Sequence, residues 1–230
     1  MGTIIYVLAA LIPAVILMYY INKYDTIEKE PMSLLLRLLL SGVYAAFLAL
    51  LLETFGQNLL DSMYYRSANS YAVWTACMVG ISEEISKYLF LRLRTWKNPN
   101  FNYRYDGLVY AVFVSLGFAA FENVLYVFQY GLGVAVSRAL LAVPAHMAFG
   151  VFMGSFYGRA KVCEAYGDKK NCNLNLLIGI ASAIILHSFY DACVMMESDM
   201  AFIIFSVFVI AMYIIVIRKI KHESRSDYPI

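Results

Sequence analysis

Seven predominantly apolar blocks of about 20 residues recur along the chain, each long enough to carry a helix across a hydrocarbon core of roughly 30 Å. They run Thr3–Ile21, Met32–Leu52, Tyr71–Leu91, Tyr105–Gln129, Val134–Gly158, Leu174–Glu197 and Met200–Ile217. This pattern predicts an all-α, polytopic transmembrane bundle with seven spans. The first block lacks a basic leader and a small-residue cleavage site, so it is read as a retained anchor. Pro13 is expected to bend it. No connecting segment is long enough to fold separately, which makes residues 1–230 one membrane-embedded unit.

The segments between blocks alternate in basic content. One set carries Lys23, Lys29 and Arg37, then Arg92, Arg94, Lys97 and Arg104, then Arg159, Lys161, Lys169 and Lys170, and finally Arg218, Lys219, Lys221 and Arg225. The other set carries only Arg66 and Arg138. The positive-inside rule then puts the amino terminus outside and the carboxyl terminus in the cytoplasm, as an odd number of spans requires.

Composition agrees with this architecture. Of the 230 residues, 62% are hydrophobic and 15% charged, and mean hydropathy is +0.67. A soluble domain is about 25% charged. The net charge of +2 gives no reason to expect a nucleic-acid partner. The four cysteines make no disulfide framework and are read as reduced thiols. Aromatic residues such as Tyr19, Tyr20, Tyr64, Tyr65 and Tyr71 are read as interface belts and packing.

Against this background the ionisable residues inside the blocks stand out, because charge within hydrocarbon is costly and usually marks function. Span three holds Glu83, Glu84 and Lys87, span four Glu122, span five His146, and span six His187 and Asp191. Counted from the outer helix ends at 1.5 Å per residue, Glu83, Glu122, His146 and His187 share a layer roughly 12–17 Å deep. His187 and Asp191 are four residues apart, so the carboxylate can accept a ring N–H and aim the other nitrogen at a reaction centre. Glu83 and Glu84 lie about 100° apart around their helix, so one can face a cavity while the other bonds sideways. Lys87 stands one turn on from both and can neutralise part of their charge. Glu53 and Arg138 fall at block edges and are read as snorkelling, and His222 as a solvated tail residue.

Converging carboxylates and imidazoles can activate water. A buried glutamate is a suitable general base, and imidazoles can stabilise an oxyanion or protonate a leaving amine. Glu122, His146 and His187 could alternatively hold a divalent metal such as zinc, leaving one of the paired glutamates as base. Both arrangements are hydrolytic. A proton or divalent-cation transporter is the alternative from another class, since buried Glu, His and Asp also line ion paths.

The segments EEISK (83–87), FAAFENVLY (118–126), PAHMAFG (144–150) and HSFYD (187–191) resemble the PrsW family of bacterial intramembrane proteases. That family is related to the CAAX prenyl endopeptidases and bacteriocin-processing proteases. Its pattern of EExxK, FxxxExxxY and HxxxD falls on Glu83, Glu84 and Lys87, on Phe118, Glu122 and Tyr126, and on His187 and Asp191. The wider group usually has His in place of Glu122 and Arg in place of Lys87, which favours PrsW over a prenyl-protein processor. The motifs lie within residues 71–197. The resemblance implies a multi-pass protease of the bacterial cell membrane that makes the site-1 cut in a single-pass anti-sigma factor during envelope-stress signalling. Glu83 is the expected base, with Glu84 and Lys87 setting its charge. His187, Asp191 and Glu122 are expected to position water, polarise the carbonyl or hold a metal.

Overall fold

The computed structural model describes residues 2–63, 67–196 and 198–230. Expectations resting on Tyr64, Tyr65, Arg66 and Glu197 lie outside the described residues. The described chain folds as α1 (Gly2–Tyr24), α2 (Met32–Asp61), α3 (Ala68–Thr95), α4 (Asp106–Tyr130), α5 (Leu132–Leu140), α6 (Ala142–Ala165), α7 (Lys169–Met195) and α8 (Asp199–Arg225). Helices α5 and α6 together occupy the fifth predicted span, and each of the other helices corresponds to one span. Among the described residues, six segments are long and apolar enough to cross a membrane, with α5 and α6 counted as one stretch. The remaining long helix is α3, whose charged residues lower its hydropathy.

The helices run several residues beyond most of the predicted block ends, and three features differ from expectation within the first, second and fifth blocks. Helix α1 runs unbroken through Pro13. Helix α2 continues nine residues beyond Leu52, because the polar segment after it still forms helix. The fifth block is interrupted at Leu141, where α5 stops and α6 begins. Pro144 has no amide to donate to the Leu140 carbonyl. The Tyr213 hydroxyl, reaching over from α8, donates there instead, at 3.1 Å from the Leu140 oxygen and 2.9 Å from that of Leu141.

Polar side chains set the other helix ends. Ser67 and Ser70 form a reciprocal capping box at the start of α3, satisfying amides that the first turn leaves free. Asp168 and Ser198 cap α7 and α8 by accepting from the Asn171 and Ala201 amides. Gly131, at φ +82°, ends α4 in a conformation that L side chains rarely adopt.

Helix α4 runs through the middle of the bundle and supplies much of the core, packing against α1, α2 and α6. Two close approaches bring the ionisable groups together. A Cβ on Gly80 of α3 would collide with the Ser188 backbone nitrogen of α7 at 3.0 Å, and with that residue's hydroxyl. A Cβ on Gly154 of α6 would stand 2.6 Å from both the Gly107 carbonyl oxygen and the Leu108 Cα of α4. Glycine at these points lets the backbones approach, the usual device of membrane helix packing.

At the end of the bundle where α8 finishes, the chain terminus is tied down. Tyr103 and Pro229 form an antiparallel bridge, the Ile230 amide donates to the Asn102 carbonyl at 2.7 Å, and Asp227 accepts from the Tyr105 amide at 2.8 Å. Asp25 and Glu30, in the α1–α2 connection, are buried at the same end. Burial pushes Asp25 up to about 6 and Glu30 up to about 7. Both therefore bind a proton more tightly folded than unfolded. Their contribution to stability is complete below about pH 4 and is lost as pH rises through about 7. Thermal midpoints compared at pH 5 and pH 8 should fall less on alkalinisation in Glu30→Gln than in the wild type. An identical drop in the two proteins would remove Glu30 as a source of the pH dependence.

Candidate active site

Four helices deliver the ionisable groups to one place. On α3, one helical turn sets Lys87 against both glutamates: its Nζ lies 3.0 Å from Glu83 Oε2 and 2.8 Å from Glu84 Oε1. The same Nζ lies 3.1 Å from His146 Nδ1 of α6 and 4.0 Å from the centroid of the Phe118 ring of α4. On α7, His187 Nδ1 stands 2.8 Å from Glu84 Oε1 and 3.8 Å from Glu83 Oε2. Phe149 stacks on the His187 ring at 4.7 Å and fixes its plane.

The two imidazoles are arranged alike. Each turns Nδ1 inward to the α3 groups and Nε2 outward to a carboxylate. His146 Nε2 meets Glu122 Oε2 at 3.0 Å, and His187 Nε2 meets Asp191 Oδ2 at 3.4 Å. A carboxylate backing the outer nitrogen fixes tautomer and ring orientation, leaving the inner nitrogen to serve the centre. Asp191 thus stands where the four-residue spacing predicts. Glu122 does the same for His146 and reaches the centre through that ring.

The glutamate pair divides its duties. Glu83 lines a cavity of about 630 Å³ together with Glu122, His146, His187 and Asp191. Glu84 is fully buried behind it and contributes nothing to the cavity wall. The cavity extends to Met196, Ser198 and Phe202 at the α7–α8 turn, the bundle end opposite the chain's carboxyl terminus.

One ligand-type atom from each of Glu83, Glu84, His146 and His187 lies within 4.8 Å of the others, the one such buried group among the described residues. Two imidazole nitrogens and two carboxylates are a donor set suited to zinc. Glu84 Oε2 is buried with no hydrogen-bond partner, as expected of an oxygen meant to face a further group. The donors therefore fit a divalent ion. The expected set of Glu122, His146 and His187 shares both histidines with this group.

Two residues expected to snorkel take part in the site. Glu53 lies within α2, one residue past the predicted block, and lines the same cavity. Arg138 does not snorkel. Its Nη2 donates to Glu122 Oε2 at 2.6 Å, its Nε donates to Asn123 Oδ1 at 2.9 Å, and its guanidinium stacks on Tyr126 at 3.9 Å. Asn123, unremarked in the sequence, donates to the Ala10 carbonyl at 2.7 Å and ties α1 to this side of the site.

The sequence profile described as PrsW family intramembrane metalloprotease matches residues 30–217. The protein named Protease PrsW of Clostridioides difficile (strain 630) is 32% identical over 219 residues, covering 93% of this chain and 89% of that one. Those of Halalkalibacterium halodurans and Bacillus subtilis (strain 168) are 30% and 31% identical, covering 95% and 80% of this chain and 97% and 79% of their own. No solved structure matches the chain. These relatives favour hydrolysis over the transporter alternative.

The Arg138–Glu122 contact is the outermost member of the network, only 11% and 22% exposed on the two sides. Arg138→Ala should cost about 1.5–3 kcal/mol, the range for hydrogen bonds to charged groups. The double variant Arg138→Ala/Glu122→Gln should lose less than the two single variants summed. Unfolding measured in mixed micelles checks this, and strict additivity would show that the two side chains are not coupled.

Proposed function

The chain belongs to the PrsW family of intramembrane metalloproteases, and on that premise we propose that it makes the site-1 cut in a membrane-anchored anti-sigma factor. It is a membrane-embedded peptidase, and its substrate is a membrane protein reached through the bilayer. The reading takes residues 1–230 as one catalytic unit. The anti-sigma factor as substrate rests on the motif resemblance. The single structural observation that supports peptide hydrolysis is the pair of inward-facing imidazoles meeting Glu83 and Glu84 beside an open cavity.

The orientation given by the basic loops puts the α7–α8 turn on the outer face. On that orientation the cavity opens outward, where the flank of a single-pass substrate helix would enter. Glu83, which faces the cavity, takes the proton from the attacking water and passes it to the leaving amine. His187, held by Asp191, and His146, held by Glu122, turn their inner nitrogens to the reaction centre, where a protonated nitrogen would stabilise the developing oxyanion and an unprotonated one would hold a metal. His146, His187 and Glu84 are the residues that would hold a divalent ion such as zinc, with Glu84 Oε2 the oxygen left free to reach it. When bound, the ion supplies Lewis-acid stabilisation of negative charge on the scissile carbonyl oxygen. Phe149, stacked on His187, shields the imidazole from water on one face.

The test is co-expression with a tagged, membrane-anchored anti-sigma factor. Wild type should yield a shortened, membrane-retained fragment. Glu83→Gln should insert at normal levels and cut about 10²–10⁴-fold more slowly, the usual contribution of a general base. Undiminished cutting by that variant would remove Glu83 from the mechanism.

A further inference from the structure

Four inward-facing donors meet in the centre of the site, and the position between them is already filled by the chain itself. Lys87 Nζ contacts three of the four, at 3.0 Å from Glu83, 2.8 Å from Glu84 and 3.1 Å from His146. The fourth, His187 Nδ1, shares Glu84 Oε1 with it. The Lys87 side chain is 1% exposed, and Phe118 closes the space over its ammonium. Its three N–H donors are matched by three acceptors, the full hydrogen-bond complement of a lysine. His146 suits this arrangement. Glu122 can only accept, so it draws the ring proton to Nε2 and leaves a lone pair at Nδ1, directed at the ammonium.

A divalent ion needs the same lone pairs. One carboxylate oxygen or imidazole nitrogen cannot serve an ammonium proton and a metal along the same direction. We infer that Lys87 is a tethered occupant of the metal position, and that loading a divalent cation requires its ammonium to leave Glu84 and His146. This rests on the protease reading for its purpose: a site held shut by its own lysine keeps part of its negative charge compensated in the bilayer until metal arrives. The affinity of such a site is reduced by the fraction of molecules in which the lysine has withdrawn.

The test uses the full chain purified in detergent, stripped with chelator and titrated with zinc, with binding read by calorimetry and bound metal counted by mass spectrometry. Lys87→Met keeps the length of the side chain and removes the charge. It should bind one zinc about tenfold more tightly than wild type or better, and adding His187→Ala should abolish the gain. Equal or weaker affinity in Lys87→Met, or no zinc on either protein, overturns the inference. Should Lys87→Met not yield a monodisperse protein, wild type decides alone. Zinc should then raise the acylation of Lys87 by a small membrane-permeant activated ester, whose alcohol leaves as the amide forms, read by peptide mass spectrometry. Unchanged labelling in the presence of zinc overturns the inference. Substrate cutting followed in parallel separates the two claims: a wild type that cuts, beside a Lys87→Met that gains no zinc affinity, leaves the protease reading intact.

Discussion

Two adjacent glutamates in the interior of a membrane bundle repel each other and have little water to stabilise them. Lys87 makes the pair tolerable by holding both carboxylates within 3.0 Å of one ammonium. Removing one partner from a buried ionic group leaves uncompensated charge, which costs far more than the group contributes when complete. The rest of the site follows from this constraint. His187 is drawn to Glu84, His146 to Lys87, and two further carboxylates hold the outer ring nitrogens. The positive charge that allows the glutamates to be buried also stands where a catalytic metal would bind.

The packing serves that cluster. Gly80 brings α7 close enough to α3 for His187 to reach Glu84, and Gly154 brings α6 against α4, which positions His146 beside Glu122. The α5–α6 break has the same result from another direction. It frees α5 to lay Arg138 along the cavity wall, where a straight helix would carry that residue onward with α6. Tyr213 supports the break by donating to the Leu140 carbonyl, which Pro144 leaves without an amide.

The spans could be read from the sequence because a bilayer demands long apolar helices and little else has that composition. The central residues could be read because charge within such a helix is rare enough to signify. Glu83, Glu84, Lys87, Glu122, His146, His187 and Asp191 are all in one connected network. What hydropathy missed lies at block edges. Glu53 and Arg138 sit where apolar runs give way to polar ones, and hydropathy alone cannot distinguish a helix that continues from one that ends. Asn123 carries no charge and passed unnoticed, although it joins α1 to Arg138. The separation of Glu83 from Glu84 into cavity-facing and buried roles depends on helix rotation, which only the packing of α3 against α7 decides.

The central claim is that side chains from separate helices act as one catalytic centre. Substrate cutting in proteoliposomes by Glu84→Gln, His187→Ala and the variant carrying both tests it most directly. Groups that act as a unit are strongly non-additive, so the double variant should cut no more slowly than the slower single one. Losses that multiply would mean that α3 and α7 contribute independently, and the shared centre described here would not exist.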